Sequence, residues 1–185
     1  MKSAINPVVI FLILCALQSA VPLYMIGGRE HVLKNGKVYK FKTAPVDPYD
    51  PFRGKYVRLG MESNTAPWDG PDAAERGQTV YAVIGVGSND YAYFSSASLK
   101  KPDSGEFIKA KTRYGGNPVN LELPFDRYYA EESIAPHMES AYRSNSSRTN
   151  QKCHVSVRVL NGQAVLEELY IDDVPIKEYV RKGLK

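Results

Sequence analysis

One unbroken apolar block opens the chain, and a different rhythm follows it. Residues 8 to 26 are apolar apart from Gln18, Ser19 and the phenol of Tyr24, and no charged side chain lies between Ser3 and Gly28. At about 1.5 Å of rise per residue, a helix of this length spans about 30 Å, the hydrocarbon thickness of a bilayer. A helix bonds its own backbone, so the block can sit in lipid with no orphaned polar groups. Pro7 suits the first turn, where its missing N–H costs nothing, and Pro22 lies toward the far end. Tyr24 falls at headgroup depth, and Arg29 marks the return to water. The pattern predicts a membrane anchor over residues 1–29, touching lipid through residues 8–26.

Other uses of an apolar block fit less well. A cleaved signal peptide needs small residues at −3 and −1; Ala20 supplies one, but Gln18 then occupies the other. Lipid attachment at Cys15 wants a small residue before it, where Leu14 stands. A core helix would carry a polar face, and this block has none over five turns. For orientation, Lys2 precedes the block and Arg29, Lys34, Lys37, Lys40 and Lys42 follow it, which by charge alone places the rest of the chain in the cytoplasm. A six-residue leader before an apolar run is nevertheless the geometry of export, and long domains translocate largely regardless of charge. The expectation is an exported domain.

From residue 30 the rhythm shortens to a period of two, which reads as β-structure. Asn35-Gly36 is read as a turn before the strand Lys37–Phe41, which alternates polar and apolar residues. Thr79–Val86 is a β-branched run that reads as a central strand. Tyr91–Ser95 follows it across the turn cluster 87–90, and Phe107–Lys111 and Val119–Leu123 are further strands. The clearest hairpin joins His154–Leu160 to Gln163–Ile171 through Asn161-Gly162, a pair that accepts the two positive φ values of a type I′ turn. Asp172-Asp173 ends its second strand. Ser133–Arg143, with Pro136 near its start, is the one helix predicted in this part. The fold class is therefore mainly β: an antiparallel sandwich or partly open barrel with one short helix, over residues 30–185, behind an N-terminal transmembrane helix.

Length and composition narrow the function classes. At 185 residues the chain holds one ordinary domain and an appendage. Its net charge is +4, spread along the sequence, so no nucleic-acid partner is expected. Removing Lys2 and Arg29 with the anchor lowers that charge by two, to near neutrality, which makes diffuse attraction to anionic lipid a minor term. Two cysteines exclude a disulfide scaffold and a four-cysteine zinc site.

The most distinctive stretch is Val46–Met61, in which Asp47-Pro48 and Asp50-Pro51 precede Arg53 and then Gly54, Tyr56 and Leu59. It resembles the GDYXXLXY family, uncharacterised membrane-anchored bacterial proteins named for that octapeptide. Gly54, Tyr56 and Leu59 match it, while Lys55 and Met61 stand where Asp and Tyr are expected. Arg127–Ser133, with Glu139 beyond Glu132, resembles the family's aromatic pair followed by two spaced glutamates, and the C-terminal strand–Asn-Gly–strand resembles its ending. The resemblance implies a divergent member with a single transmembrane helix in the bacterial inner membrane and a domain on the periplasmic or extracellular side. Family members are often encoded near multi-pass membrane proteins, which implies such a protein as partner.

In physical terms, each residue before Pro is held extended, and Gly54 allows a tight entry into the strand Lys55–Met61. Tyr56 and Leu59 fall on opposite faces of a regular strand because their separation is odd. Arg53 is within reach of an ion pair with Asp50 or Glu132. Asp50, Arg53, Gly54, Tyr56, Glu132 and Glu139 are thus the candidate binding residues; the same segment also reads as a fold-defining turn. No catalytic residue, metal site or cofactor is assigned. Glu131, Glu132 and Glu139 read as solvated or helix-starting carboxylates, and His31, His137 and His154 are too far apart for metal-ligand spacing. Cys153 reads as an inert half-buried thiol. The favoured function is a membrane-anchored non-enzymatic domain that binds or supports a neighbouring membrane protein or envelope component. The alternative is an anchored hydrolase, which requires carboxylates or a Ser–Lys pair converging in a cleft.

Overall fold

The computed structural model describes residues 6–44, 56–146 and 152–183. Helix α1 (Pro7–Asn35) forms as the apolar block demands. The Asn6 side chain caps it by accepting from the Val8 N–H at 3.0 Å, Pro7 occupies the first turn, and Pro22 is accommodated without a break. Among the described residues it is the one helix long and apolar enough to cross a membrane, and none of its apolar window is buried in protein. It continues past residue 29 into the domain. Val32 on its last turns is only 1% exposed, while Glu30 and Lys34 pair at 3.7 Å on the solvent side.

The helix ends where a turn leading into the strand was expected. Gly36 N–H donates to Val32 O at 2.8 Å, and Asn35 donates through its side chain to His31 O at 2.9 Å. Gly36 has φ of −73°, so the chain passes directly into β1 (Lys37–Ala44) with no reversal. An Asn-Gly hairpin needs a strand on both sides; here the upstream side is helical, and the pair serves as a helix stop.

The remaining elements follow in short order. The segment after β1 gives β2 (Tyr56–Arg58), β3 (Gly60–Met61) and β4 (Thr65–Ala66). Then come β5 (Thr79–Val86), β6 (Ala92–Ser98), β7 (Phe107–Tyr114), β8 (Val119–Glu122) and β9 (Arg127–Tyr129). Helix α2 (Ala135–Asn145) precedes β10 (Cys153–Leu160), β11 (Gln163–Ile171), the two-residue β12 (Val174–Pro175) and α3 (Ile176–Arg181). Helix α3 was not anticipated. Six residues carry too little periodicity to read, and it forms because Asp172 and Asp173, both at positive φ, turn the chain back so that Ile176 and Tyr179 are buried.

One antiparallel sheet has the order β12-β11-β10-β1-β3, and another β4-β8-β7-β5-β6. The second sheet curls nearly closed into a barrel. Ala97 on β6 donates to Pro67 O and accepts from Asp69 N–H, both at 2.8 Å, just beyond β4. The two sheets are stitched where Lys109 N–H reaches Gly162 O at 2.9 Å. Asn161 and Gly162 have φ of 51° and 82°, as the type I′ reading requires.

Tyr39, Phe41 and Thr43 of β1 point inward. Phe41 lies 5.6 Å from the Phe94 ring and 5.4 Å from the Phe125 ring, joining β1, β6 and the loop after β8 in one core. The strand expected over residues 55–61 is divided. Strand β2 pairs with β9, β3 pairs with β1, and Leu59 between them donates to Asp126 O at 2.8 Å. Val57, Leu59 and Met61 all stay buried, so the alternation survives while the chain turns a corner from one sheet to the next.

The junction at Gly36 leaves no room for a side chain. A Cβ there would lie 2.5 Å from Val32 O and 3.1 Å from the backbone N and O of Val159 on β10. Backbone atoms at both sites cannot swing aside, so Gly36→Ala should destabilise the full-length chain by about 2 kcal/mol through overpacking. Thermal unfolding in detergent checks this, and an unchanged melting temperature would contradict the close packing.

Candidate functional site

The candidate surface is built on the short antiparallel pair β2–β9. Its register places Tyr56 opposite Tyr129, Val57 opposite Tyr128 and Arg58 opposite Arg127. Alternation sends Val57 and Tyr128 into the core, where they are 1% and 5% exposed. It sends Tyr56, Arg58, Arg127 and Tyr129 outward. The Tyr56 and Tyr129 rings meet at 5.9 Å, and the Arg127 guanidinium lies 5.1 Å above the Tyr56 ring. A hydrogen bond with Tyr129, and then the nearby Asp126 carboxylate, raise the Arg127 pKa above its ordinary value. The result is an exposed aromatic platform with a fixed cation, held from below by two buried side chains.

Beside the platform runs an open groove of about 470 Å³. Arg29 of α1, Arg127 and Tyr129 of β9, Glu167 and Glu168 of β11, and Lys177 of α3 contribute to its lining. Glu167 is held by Arg158, whose Nη2 and Nε lie at 2.8 and 3.0 Å. Glu168 Oε1 accepts from the Tyr128 hydroxyl at 2.6 Å and from Leu169 N–H at 2.9 Å. Burial, and then the hydrogen bond to Glu168, push the Tyr128 pKa far up, so its hydroxyl remains a donor at any ordinary pH.

Of the residues singled out by sequence, Tyr56 belongs to this platform. Glu132 is exposed in the turn before α2, and Glu139 pairs with Arg143 one turn along that helix at 3.1 Å. Helix α2 packs against β2, which puts Glu139 on the element next to the platform and Glu132 in the turn that leads into it. Glu132 is exposed and Glu139 is about half exposed, and neither lines the groove beside the platform. Asp50, Arg53 and Gly54 lie outside the described residues, as do the expected pairings of Arg53. Sequence reasoning passed over Arg127, Tyr129, Arg29 and Lys177 as site residues. The alternation in Arg127-Tyr128-Tyr129 marks two of them as outward-facing, but nothing local places Arg29 near Lys177.

The sequence profile of the GDYXXLXY protein family matches residues 18–169, most of the chain, including the platform and the groove lining other than Lys177. The chain belongs to the GDYXXLXY family. No curated protein and no solved structure gives a significant match. Among the described residues of this GDYXXLXY protein, no three His, Cys, Asp or Glu side chains are grouped to hold a metal ion. Cys153 is buried, and burial followed by the Asp172 charge pushes its thiol up to about 12, so it is protonated at neutral pH.

His154 of the GDYXXLXY protein is a buried strand residue, 3% exposed. It stacks flat on Tyr170 at 4.9 Å, meets Tyr91 edge-on at 5.8 Å, and places Nε2 3.7 Å from Asp173. Burial lowers its pKa and Lys40 adds to this, with Asp173 opposing. The folded value thus lies below the ordinary 6.5, and the unfolded chain takes up the proton first as pH falls. Stability from this site is complete above the unfolded value and declines below it, by at most about 1.4 kcal/mol per pH unit. Melting temperature should therefore fall between about pH 7.5 and about pH 5.5, and His154→Phe should flatten that slope. Equal slopes for the two proteins would assign the effect elsewhere.

Proposed function

We propose that this GDYXXLXY protein is a non-enzymatic domain on a retained single-pass anchor, facing the periplasm or exterior, that binds or supports a neighbouring membrane protein. The observation that carries this reading is the continuity of α1. The helix passes from its apolar window into the domain without a linker and is wedged against β10 at Gly36. A body joined in this way stays beside the bilayer at one orientation, where a membrane partner can meet it.

The platform supplies a surface suited to protein contact. Tyr and Arg are the side chains most often found at the energetic centre of interfaces, because they offer large contact area with few rotatable bonds. Tyr56, Arg127 and Tyr129 are held in ring contact, so little freedom is lost on association. Glu139 lies on α2, which packs against β2, and Glu132 lies in the turn before that helix, so both are near the platform in the chain's fold; Asp50, Arg53 and Gly54 precede β2 in sequence and complete the candidate set.

Co-purification in mild detergent tests the reading. The full-length protein should bring down a stoichiometric membrane protein, and the double variant R127A/Y129A should lower its recovery by about tenfold, the effect of losing interface anchors. Repeated isolation of the chain alone would count against a protein partner. Protease accessibility in intact and opened cells checks the side of the membrane, with protection in intact inner-membrane spheroplasts contradicting export.

A further inference from the structure

The groove beside α1 has a ligand chemistry that a protein partner leaves unused. Its depth follows from helix geometry, given the retained anchor proposed above. Arg29 lies three residues beyond Ile26, the last residue of the apolar block, and so about 4.5 Å further along the axis. A groove that Arg29 lines opens at the level of the phospholipid headgroups. Tyr129, 68% exposed on its rim, has the amphipathic ring that favours this depth.

The walls carry both signs of charge. Arg29 and Lys177 have no ion-pair partner among the described residues. Arg127 brings a third cation, with Asp126 3.6 Å away. On the β11 wall Glu167 is neutralised by Arg158, whereas Glu168 accepts, among the described residues, only from neutral donors, the Tyr128 hydroxyl and the Leu169 N–H. Its charge is solvated but not cancelled, and its carboxylate retains lone pairs for another donor.

A purely anionic ligand would satisfy the cations and repel Glu168. A ligand with a phosphate and a primary ammonium satisfies both. The phosphate accepts charge-assisted hydrogen bonds from Arg29, Arg127 and Lys177, and the ammonium donates to Glu168. The volume of about 470 Å³ is of the size that small polar ligands occupy. We infer that the groove holds the headgroup of a zwitterionic phospholipid with a free amine, such as phosphatidylethanolamine. The near-neutral charge of the domain does not oppose this, because recognition is local to the groove.

Native mass spectrometry tests it, using the full-length chain exchanged into bilayers of equal phosphatidylethanolamine and phosphatidylglycerol. One phosphatidylethanolamine should remain bound, enriched about tenfold over phosphatidylglycerol, the value of one charge-assisted contact. R29Q/K177Q, at two exposed positions, should lower the retention of both lipids about tenfold, because both carry the phosphate that these cations hold. E168Q, which keeps an acceptor for Tyr128, should bring the two lipids to parity while the protein remains folded. Equal retention of both lipids by the unaltered chain, retention undiminished in R29Q/K177Q, or enrichment that survives E168Q would overturn the inference. A purified chain whose mass lacks the apolar segment would overturn the anchored reading and this one with it. A full-length chain without lipid preference would overturn the headgroup site alone.

Discussion

The missing side chain at Gly36 sets the relation between the apolar helix and everything that follows. With hydrogen as its side chain, the end of α1 sits directly on the β10 backbone, and the chain enters β1 with no intervening residue free to bend. A flexible linker at this point would let the domain drift over a wide volume. Instead the helix end, β10 and β1 form one body. Strand β1 pairs with β10 over six residues from Lys37 to Lys42 and with β3 at its far end. The orientation set at Gly36 is thereby passed into the sheet and, through Phe41 and its contacts with Phe94 and Phe125, into the barrel.

The candidate surfaces inherit that rigidity. The platform stands on two inward residues, Val57 and Tyr128, and Tyr128 is fixed a second time by Glu168 on β11. The groove draws one wall from α1, one from β9 and one from β11 and α3, which converge only because α1 lies against β10 and β11. Sites assembled on strands and helix ends hold their side chains within narrower limits than sites on free loops. The proposed binding role rests on this, since packed backbone fixes the candidate surface relative to α1.

Within the sequence itself, α1, β5, β7, β8 and the β10–β11 hairpin were legible because each depends on local pattern. The span follows from a block with no charge from Ser3 to Gly28, and the alternation of Val119, Leu121 and Leu123 places them inward as observed. The family was legible too, through Gly54, Tyr56, Leu59 and the segment from Arg127. The candidate site was legible only in part. Tyr56 was marked by its motif, whereas Arg127 and Tyr129 become its neighbours through pairing across a gap of about seventy residues, a contact that no local periodicity records.

Two Asn-Gly pairs show where that boundary lies. Asn161-Gly162 joins strands that can lie side by side, so its positive φ values close a hairpin. Asn35-Gly36 follows a helix already committed by the apolar block, and the same dipeptide stops the helix and seats it on Val159. Sequence determined the span, the strand-rich character and the reversal at Asn161-Gly162, because these follow from neighbours along the chain. Tertiary structure decided the closure of the barrel through Pro67 and Asp69, the corner at Leu59 and the meeting of Arg29 with Lys177 in one groove, because each depends on backbone distant in sequence offering the matching hydrogen bond or space.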